Sequence, residues 1–580
     1  MGLLESLDSS ITDLFGQWNG YSTALATTLV VLITYRIMSA TEPDAHPLLL
    51  ARQSMPSSVR KEGESAVYRS QSAPHGMALN AGLNVKDPGA PKFSRGRDGD
   101  LRDVWRKAVG GDAGARGRLL TVLGSENVVE HKMGALLFFH LSSIYIRPSH
   151  CCSRSTFAKY MFMLTPFVDD INRQINIIGR YIAEQGSIKV AIYLPNSIEH
   201  LITLLACSFY PNLTAVLIPF DVSESELISM LRRSAVDTVV TATGSFPLDA
   251  VVNAYPSLRQ LIWVVDEGSR HMDWNDVPEG MGSAVNVTTW QDLLNDTPAA
   301  AGTELPASED STGSPGDIVT FWQGKQGELE EMVRFTQANL ASGISGQIAA
   351  IPTRERLTQA DLFLPAESLS NMHTLTLTLA ALYSNSSVAF NSVAGRSPDL
   401  VLATQGVAPT VIVASPATLL RTHEESTRRL GGGLAKLSHS LATSTLTQRG
   451  VHGGTNFLSA FAAGTRPRIG TAPGKLRLVY VAERVGGDTP LLSTQILSDL
   501  RVYTGARIVY ALTAARVAGA VAQTALFDYR LTPGIEAHFG VPPSSVEIYL
   551  KDTEKHHTTD DIIEGEVYNQ LTRSLRPLVG

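Results

Sequence analysis

From residue 172 onward, short apolar runs alternate with helical stretches, and this limits the possible folds more than any other feature. Residues 172–185 read as a helix, 188–194 as a strand, 197–209 as a helix and 215–218 as a strand. A helix at 223–234 and strands at 238–241 and 260–265 follow. Later strands are expected at 317–321, 387–390, 410–414, 476–481, 506–510, 545–550 and 565–568, with a helix at 334–347. A helix between two strands carries the chain back so that the strands run parallel. The pattern therefore predicts an α/β fold with parallel sheets.

At 580 residues the chain exceeds a single hydrophobic core. With 44% apolar and 18% charged residues it can bury a large interior. A net charge of −7 argues against a nucleic-acid partner, which needs a basic surface. Cys151, Cys152 and Cys207 make no disulfide framework and fit a reducing compartment.

The N-terminus points to a membrane. Residues 1–20 place Leu3, Leu4, Leu7, Ile11, Leu14, Phe15 and Trp18 at helical spacing, an amphipathic stripe suited to a lipid surface. Residues 21–38 carry a single charge, Arg36, and read as a transmembrane helix at the short limit of length. A soluble amphipathic helix followed by a buried one is the other reading. Glu5, Asp8 and Asp13 precede the span, while Arg36, Arg52, Arg60 and Lys61 end or follow it. The positive-inside rule then leaves the body in the cytosol, with the endoplasmic reticulum as the default membrane. The opening MGLLES also fits a myristoylation pattern, which would require the opposite placement of the N-terminus.

Residues 39–118 read as an extended, wrapping linker, and 119–146 as helical. The text at 149–164 fits its surroundings poorly. Residues 303–316 are a polar linker, and 422–469 read as a flexible Gly/Ser/Thr-rich insertion.

Residues 321–340, FWQGKQGELEEMVRFTQANL, have the outline of a phosphate-binding loop without its chemistry. Gly324 and Gly327 keep a spacing that lets backbone N–H groups approach an anion. Lys325 and Gln326 stand where hydroxyl residues are expected. Glu328, Glu330 and Glu331 surround the place of the usual lysine and would repel phosphate.

The order of these segments resembles the large N-terminal domain of adenylate-forming (AMP-binding) enzymes, in particular long-chain acyl-CoA synthetases. The resemblance runs from about residue 172 to 568. VAIYLPNSIEHLITLLAC resembles the early strand–helix unit, and LFLPAESLSNMHTLTLTLAALYS and APTVIVASPATLL the central segments. LRLVYVAERVGGDTPLL is similar to the strand and loop near the adenine, and GARIVYALTAARVAG to the Tyr-Gly-x-Thr-Glu segment. Thr336, Asn339 and Leu340 match a Thr-His-x-Asn-Leu helix start, with Gln337 where His is usual. The resemblance implies stacked α/β sheets with a distorted barrel. It assigns 119–568 to the large domain, with 422–469 as the insertion and 569–580 as a tail, and no small C-terminal domain after it.

In this family a carboxylate attacks ATP to give an acyl-adenylate, and a thiol such as coenzyme A takes the acyl group, with Mg²⁺ assisting. The resemblance implies a degenerate nucleotide site of Gly324, Lys325, Gly327, Thr336, Tyr510 and Thr513. Tyr510 would stack on adenine and Thr513 reach phosphate. The magnesium-binding Glu is replaced by Ala514, so no metal ligand and no catalytic residue are assigned. His373 would sit beside an acyl tunnel near residues 364–381. The expected protein is a membrane-anchored, catalytically inactive relative without cofactor, holding a lipid, a fatty acid or other acyl ligand, or a protein partner. A divergent active ATP-dependent fatty acid–CoA ligase using ATP, Mg and coenzyme A is the alternative, as is a truncated copy of one.

Overall fold

The protein was analysed as a computed structural model. It describes residues 19–38, 42–86, 89–91, 93–110, 118–123, 127–131, 170–220, 222–265, 285–298, 302, 305–306, 315–324, 329–391, 398–453, 466–472, 474–488, 491–531, 534, 536–559 and 563–571.

Three sheets are present among the described residues. The first contains β5 (Lys189–Tyr193), β6 (Thr214–Leu217), β7 (Thr238–Ala242), β8 (Gln260–Val264), β9 (Asn286–Thr289), β10 (Ile318–Trp322) and β11 (Glu331–Phe335). Its order is β11-β10-β6-β5-β7-β8-β9, and every pair is parallel except β10 with β11. The second contains β3 (Leu119–Leu123), β4 (Asn127–His131), β12 (Leu362–Pro365), β13 (Ser387–Asn391), β14 (Val411–Ala414), β15 (Leu478–Arg484), β16 (Arg507–Thr513) and β17 (Ala522–Gln523). Its order is β17-β16-β15-β14-β12-β13-β3-β4, with antiparallel pairs only at the two edges. A third sheet joins β1 (Ser54–Pro56) and β2 (Tyr68–Ser70) to β18 (Val546–Lys551) and β19 (Glu566–Leu571). The alternation of strand and helix thus gives the expected α/β architecture.

The largest core lies in the helix layer shared by the two big sheets. Helix Met372–Tyr383 buries every residue from Met372 to Leu382. Helix Ile198–Phe209 is buried along its whole length. A helix apolar on all sides needs cover on all sides. Their core joins residues of β5 (Val190, Ile192) with residues of β12 and β13 (Phe363, Val388, Phe390). Close approach is built in at Gly343 of helix Gln337–Ala350, where a Cβ would lie 2.2 Å from the Ala518 carbonyl oxygen.

Four sequence expectations are corrected. Residues 119–123 and 127–131 form a β-hairpin, not a helix. Leu119–Leu123 is carried as a strand by pairing with β13, a tertiary contact that no local pattern announces. The 39–118 segment, read as an extended linker, pairs β2 with β18 and contributes helix Leu101–Gly110, whose Leu101, Val104 and Trp105 are fully buried. The 422–469 stretch is substantially helical: Pro416–Arg429 and Gly433–Arg449 both pack on helix Thr494–Thr504.

The fourth concerns the membrane. A helix does form at Gly20–Met38, but among the described residues no helix is long and apolar enough to cross a membrane. Ser22, Thr23, Thr27 and Thr28 dilute its first half, and the Thr27 and Thr28 hydroxyls turn back to the carbonyls of Thr23 and Ala24, both at 2.7 Å. The amphipathic stripe expected within residues 1–18 lies outside the described residues.

Candidate functional site

Parallel α/β sheets present ligand sites beyond the carboxyl ends of their strands, where helices begin. Ser197 after β5, Asn371 after β12 and Ser415 after β14 each cap the following helix with a side-chain oxygen. At these ends the two large sheets meet, and two side chains tie them. Asn196 donates through Nδ2 to the carbonyls of Pro365 (3.1 Å) and Glu367 (2.8 Å), and its Oδ1 accepts from Leu369 N (2.8 Å). Trp322, at the end of β10, donates to the Val485 carbonyl (3.3 Å), and the Arg484 guanidinium lies 4.5 Å over its ring.

The β10–β11 hairpin carries the loop that resembles a phosphate loop. Gly324 lies just past Trp322, while Lys325, Gly327 and Glu328 fall outside the described residues. Two of the carboxylates expected to repel phosphate are neutralised by arginines. Arg233 pairs with Glu330, and Arg516 donates to Glu331 at 2.7 Å. Thr336 lies at the opposite end of β10 from Gly324, since Phe335 pairs with Ile318. There it caps helix Gln337–Ala350 in a capping box with Asn339. Gln337 is a structural pin: it accepts from Leu101 N (3.3 Å) and donates to the Gly316 carbonyl (2.9 Å).

Tyr510, in the middle of β16, and Thr513, at its end, both bond Glu483 of the neighbouring strand, a group without an assigned role in the sequence analysis. The Tyr510 ring is fully buried against Phe539. Its hydroxyl donates to Glu483 Oε1 (3.0 Å) and accepts from Leu492 N (3.1 Å). Thr513 Oγ1 donates to the Glu483 carbonyl (2.8 Å). Burial, with the Glu483 carboxylate beside it, raises the Tyr510 phenol. In the sequence, LVYVAER ends an apolar strand on two charges, and nothing local distinguishes the buried Glu483 from a solvent-facing one.

His373 is buried in the helix layer, and neither ring nitrogen meets a partner. Burial lowers it from 6.5 to about 4, so it is neutral. Nearby in the chain, the buried Glu367 carboxyl accepts from Asn371 (2.7 Å) and Thr374 (3.0 Å), and burial pushes it up. Beside the 364–381 stretch, where the resemblance implies an acyl tunnel, a cavity lined by Leu377 and Ala380 holds about 10 Å³, the space of a single water.

No family model matches the chain, and no curated protein matches it in sequence. Solved structures do. The adenylation domain of a carboxylate reductase from Mycobacterium chelonae is 15% identical, with a TM-score of 0.52 over 84% of this chain and 66% of that one. A long-chain-fatty-acid–CoA ligase from Archaeoglobus fulgidus is 12% identical, with a TM-score of 0.49 over 85% of this chain and 77% of that one. A benzoate–CoA ligase from Burkholderia xenovorans is 14% identical, with a TM-score of 0.44 over 69% and 65%. The chain thus spans just under two thirds of the benzoate ligase and of the reductase domain. Of the three likenesses only the first, above 0.5, bears on the fold. The chain has the α/β fold of the adenylate-forming large domain.

Proposed function

We propose that this chain is a catalytically silent protein of adenylate-forming fold, which acts at a membrane surface by binding a lipid or acyl ligand or a protein partner. The observation that carries the reading is the closure of the nucleotide position. Tyr510 has no exposed surface, and its hydroxyl is held by Glu483 and Leu492. A base cannot stack on a ring whose faces are already covered.

The donor set does not fit MgATP. Ala514 offers no ligand atom where a carboxylate would hold Mg²⁺. Thr513 is spent on the Glu483 carbonyl. Removal of metal and phosphate contacts together costs many orders of magnitude in rate. No catalytic residue and no cofactor are therefore assigned.

The packed helix layer favours lipid contact from outside over an internal acyl chain. Helix Gly20–Met38 supplies that contact. Leu25 (75% exposed), Leu29, Val30, Val31 and Ile33 are each at least half exposed, and a helix lying in the membrane interface buries such side chains at the headgroup boundary. A cytosolic body, with the endoplasmic reticulum as the default membrane, is part of the same proposal.

The test is calorimetric titration of MgATP into the full chain. We expect no binding at millimolar nucleotide. Micromolar binding would overturn the reading in favour of the divergent fatty acid–CoA ligase, and acyl-adenylate formation would then be assayed.

A further inference from the structure

A second cavity lies among three helices. About 440 Å³, open to solvent on one side, is bordered by one face each of helices Pro416–Arg429, Gly433–Arg449 and Thr494–Thr504. That volume falls in the range of small-molecule sites, about 300–1,000 Å³. Its wall residues recur at four-residue steps: His423 and Thr427, His439 and Thr443, Ser440 and Ser444, then Gln495, Asp499 and Tyr503. This spacing brings side chains to one helix face.

Asp499 is the centre of the site. His439 Nε2 lies 2.9 Å from its Oδ1, and His423 Nε2 lies 3.3 Å from its Oδ2. Gln495 Nε2 donates to Oδ1 at 2.9 Å. Burial works against ionisation here, but the two imidazoles outweigh it and hold the carboxyl down to about 2. An ionised carboxylate only accepts, so each imidazole donates from Nε2, and a neutral ring then keeps Nδ1 as an acceptor. Oδ1 has both lone-pair directions filled by these partners, whereas Oδ2 retains one.

The lining excludes most ligand classes. No lysine or arginine lines the cavity, so nothing fixed would hold a phosphate or carboxylate. Leu430 is its one aliphatic residue, so an acyl chain finds no apolar wall. The charge of Asp499 is already met by three donors, which leaves little to hold a cation. What remains is hydroxyl chemistry. Thr427, Ser440, Ser444 and Thr447 line the wall with hydroxyls. Thr447 already donates to the Thr443 carbonyl (2.8 Å) and Thr427 shares a bond with the Tyr503 hydroxyl (3.3 Å), so Ser440 and Ser444 are the hydroxyls placed to both donate and accept. Hydroxyls four residues apart on a helix are about 6 Å apart, close to the span of a six-membered polyol ring.

We propose that this cavity is a binding site for a small neutral polyol, anchored on Asp499 and completed by the Ser440 and Ser444 hydroxyls of helix Gly433–Arg449. The site is independent of the nucleotide reading and would stand in an active ligase equally well.

Saturation-transfer NMR on the full chain tests it, with glucose and myo-inositol as probes and sulfate and hexanoate as controls. We expect saturable binding of at least one polyol with Kd on the order of 1 mM, and none of either control. Ser444→Trp fills the cavity from the wall and should abolish the signal with an unchanged melting temperature. Ser440→Ala removes one wall hydroxyl and should weaken binding about tenfold. The proposal is overturned if neither polyol saturates, if sulfate or hexanoate competes with it, or if both folded variants bind as the parent does.

Discussion

The Tyr510 hydroxyl donates to Glu483 Oε1 at 3.0 Å, and both residues are buried, at 0% and 2% exposure. Tyr510 sits on β16 and Glu483 on the neighbouring β15, where Val481 rather than Glu483 is its register partner. The bond is therefore diagonal and draws the ends of the two strands together. In the reading proposed above, it closes the position where a nucleotide base would lie.

Tyr510→Phe keeps the ring and removes the bond. The loss leaves a buried carboxylate and the Leu492 N–H each short of one partner. A cost of about 1–3 kcal/mol in stability is expected. Urea denaturation of the full chain measures it, and a change within experimental error would mean that the bond contributes nothing to the closure.

Ala514→Glu restores the carboxylate that the family resemblance implies for Mg²⁺. Ala514 packs beside Val517, Val521 and Val546, so the new charge enters apolar surroundings. The variant should be less stable by about 1–3 kcal/mol and should still fail to bind MgATP. Magnesium-dependent nucleotide binding by this single variant would mean that only the metal ligand had been lost.

Asn196 is the tie between the two large sheets, with three hydrogen bonds to backbone groups of the β12–helix loop. Asn196→Ala strands two carbonyls and one N–H in a site only 2% exposed. We expect a loss of about 3 kcal/mol or more, larger than for Tyr510→Phe. Thermal melting of both variants side by side decides the order.

Much of the fold was legible because the strands of parallel sheets are apolar on both faces. Runs such as Val190–Ile192 and Val479–Val481 announce themselves by composition alone. The hairpin Leu119–His131 was not legible, since its strand character comes from pairing with β13 far along the chain. The glycine- and threonine-rich text at 422–449 also misled. Gly431–Gly433 breaks the chain between two helices rather than marking a long excursion, and the hydroxyls of the second helix line a cavity. At the candidate site, Tyr510 and Thr513 were found through resemblance. Glu483, which holds both, was not, because a charge inside a strand reads as an exposed edge until its partner is known.

His373 gives the chain an acid sensitivity. Its folded value is about 4, below the unfolded value of about 6.5. Between these values the unfolded chain binds the proton and the folded chain does not. Stability therefore falls as pH falls through this window, and the loss saturates below about 4. From pH 7 to pH 5, His373 alone should cost about 2 kcal/mol. His200, also lowered to about 4 by burial, adds to the same window. His373→Leu should lose less stability over that interval than the parent, read by urea denaturation at the two pH values. Equal losses would place the acid sensitivity elsewhere.

Helix Gly20–Met38 provides the test of the membrane reading. Its described side chains carry no charge from Gly20 to Thr34, and Leu25, Leu29, Val30, Val31 and Ile33 are each at least half exposed. Uncovered apolar side chains cost about 25 cal/mol per Å² that a bilayer would remove. The full chain should therefore co-float with phosphatidylcholine vesicles. Neutral vesicles separate this apolar attraction from any charge attraction, which would instead require anionic lipid and fade with salt. Leu29→Asp with Val30→Asp puts two charges on different sides of the helix and should release the protein from the vesicles. Both residues are more than half exposed, so the folded body should keep its melting temperature. Flotation unchanged by the double substitution would exclude this helix as the lipid contact and return attention to the body of the protein.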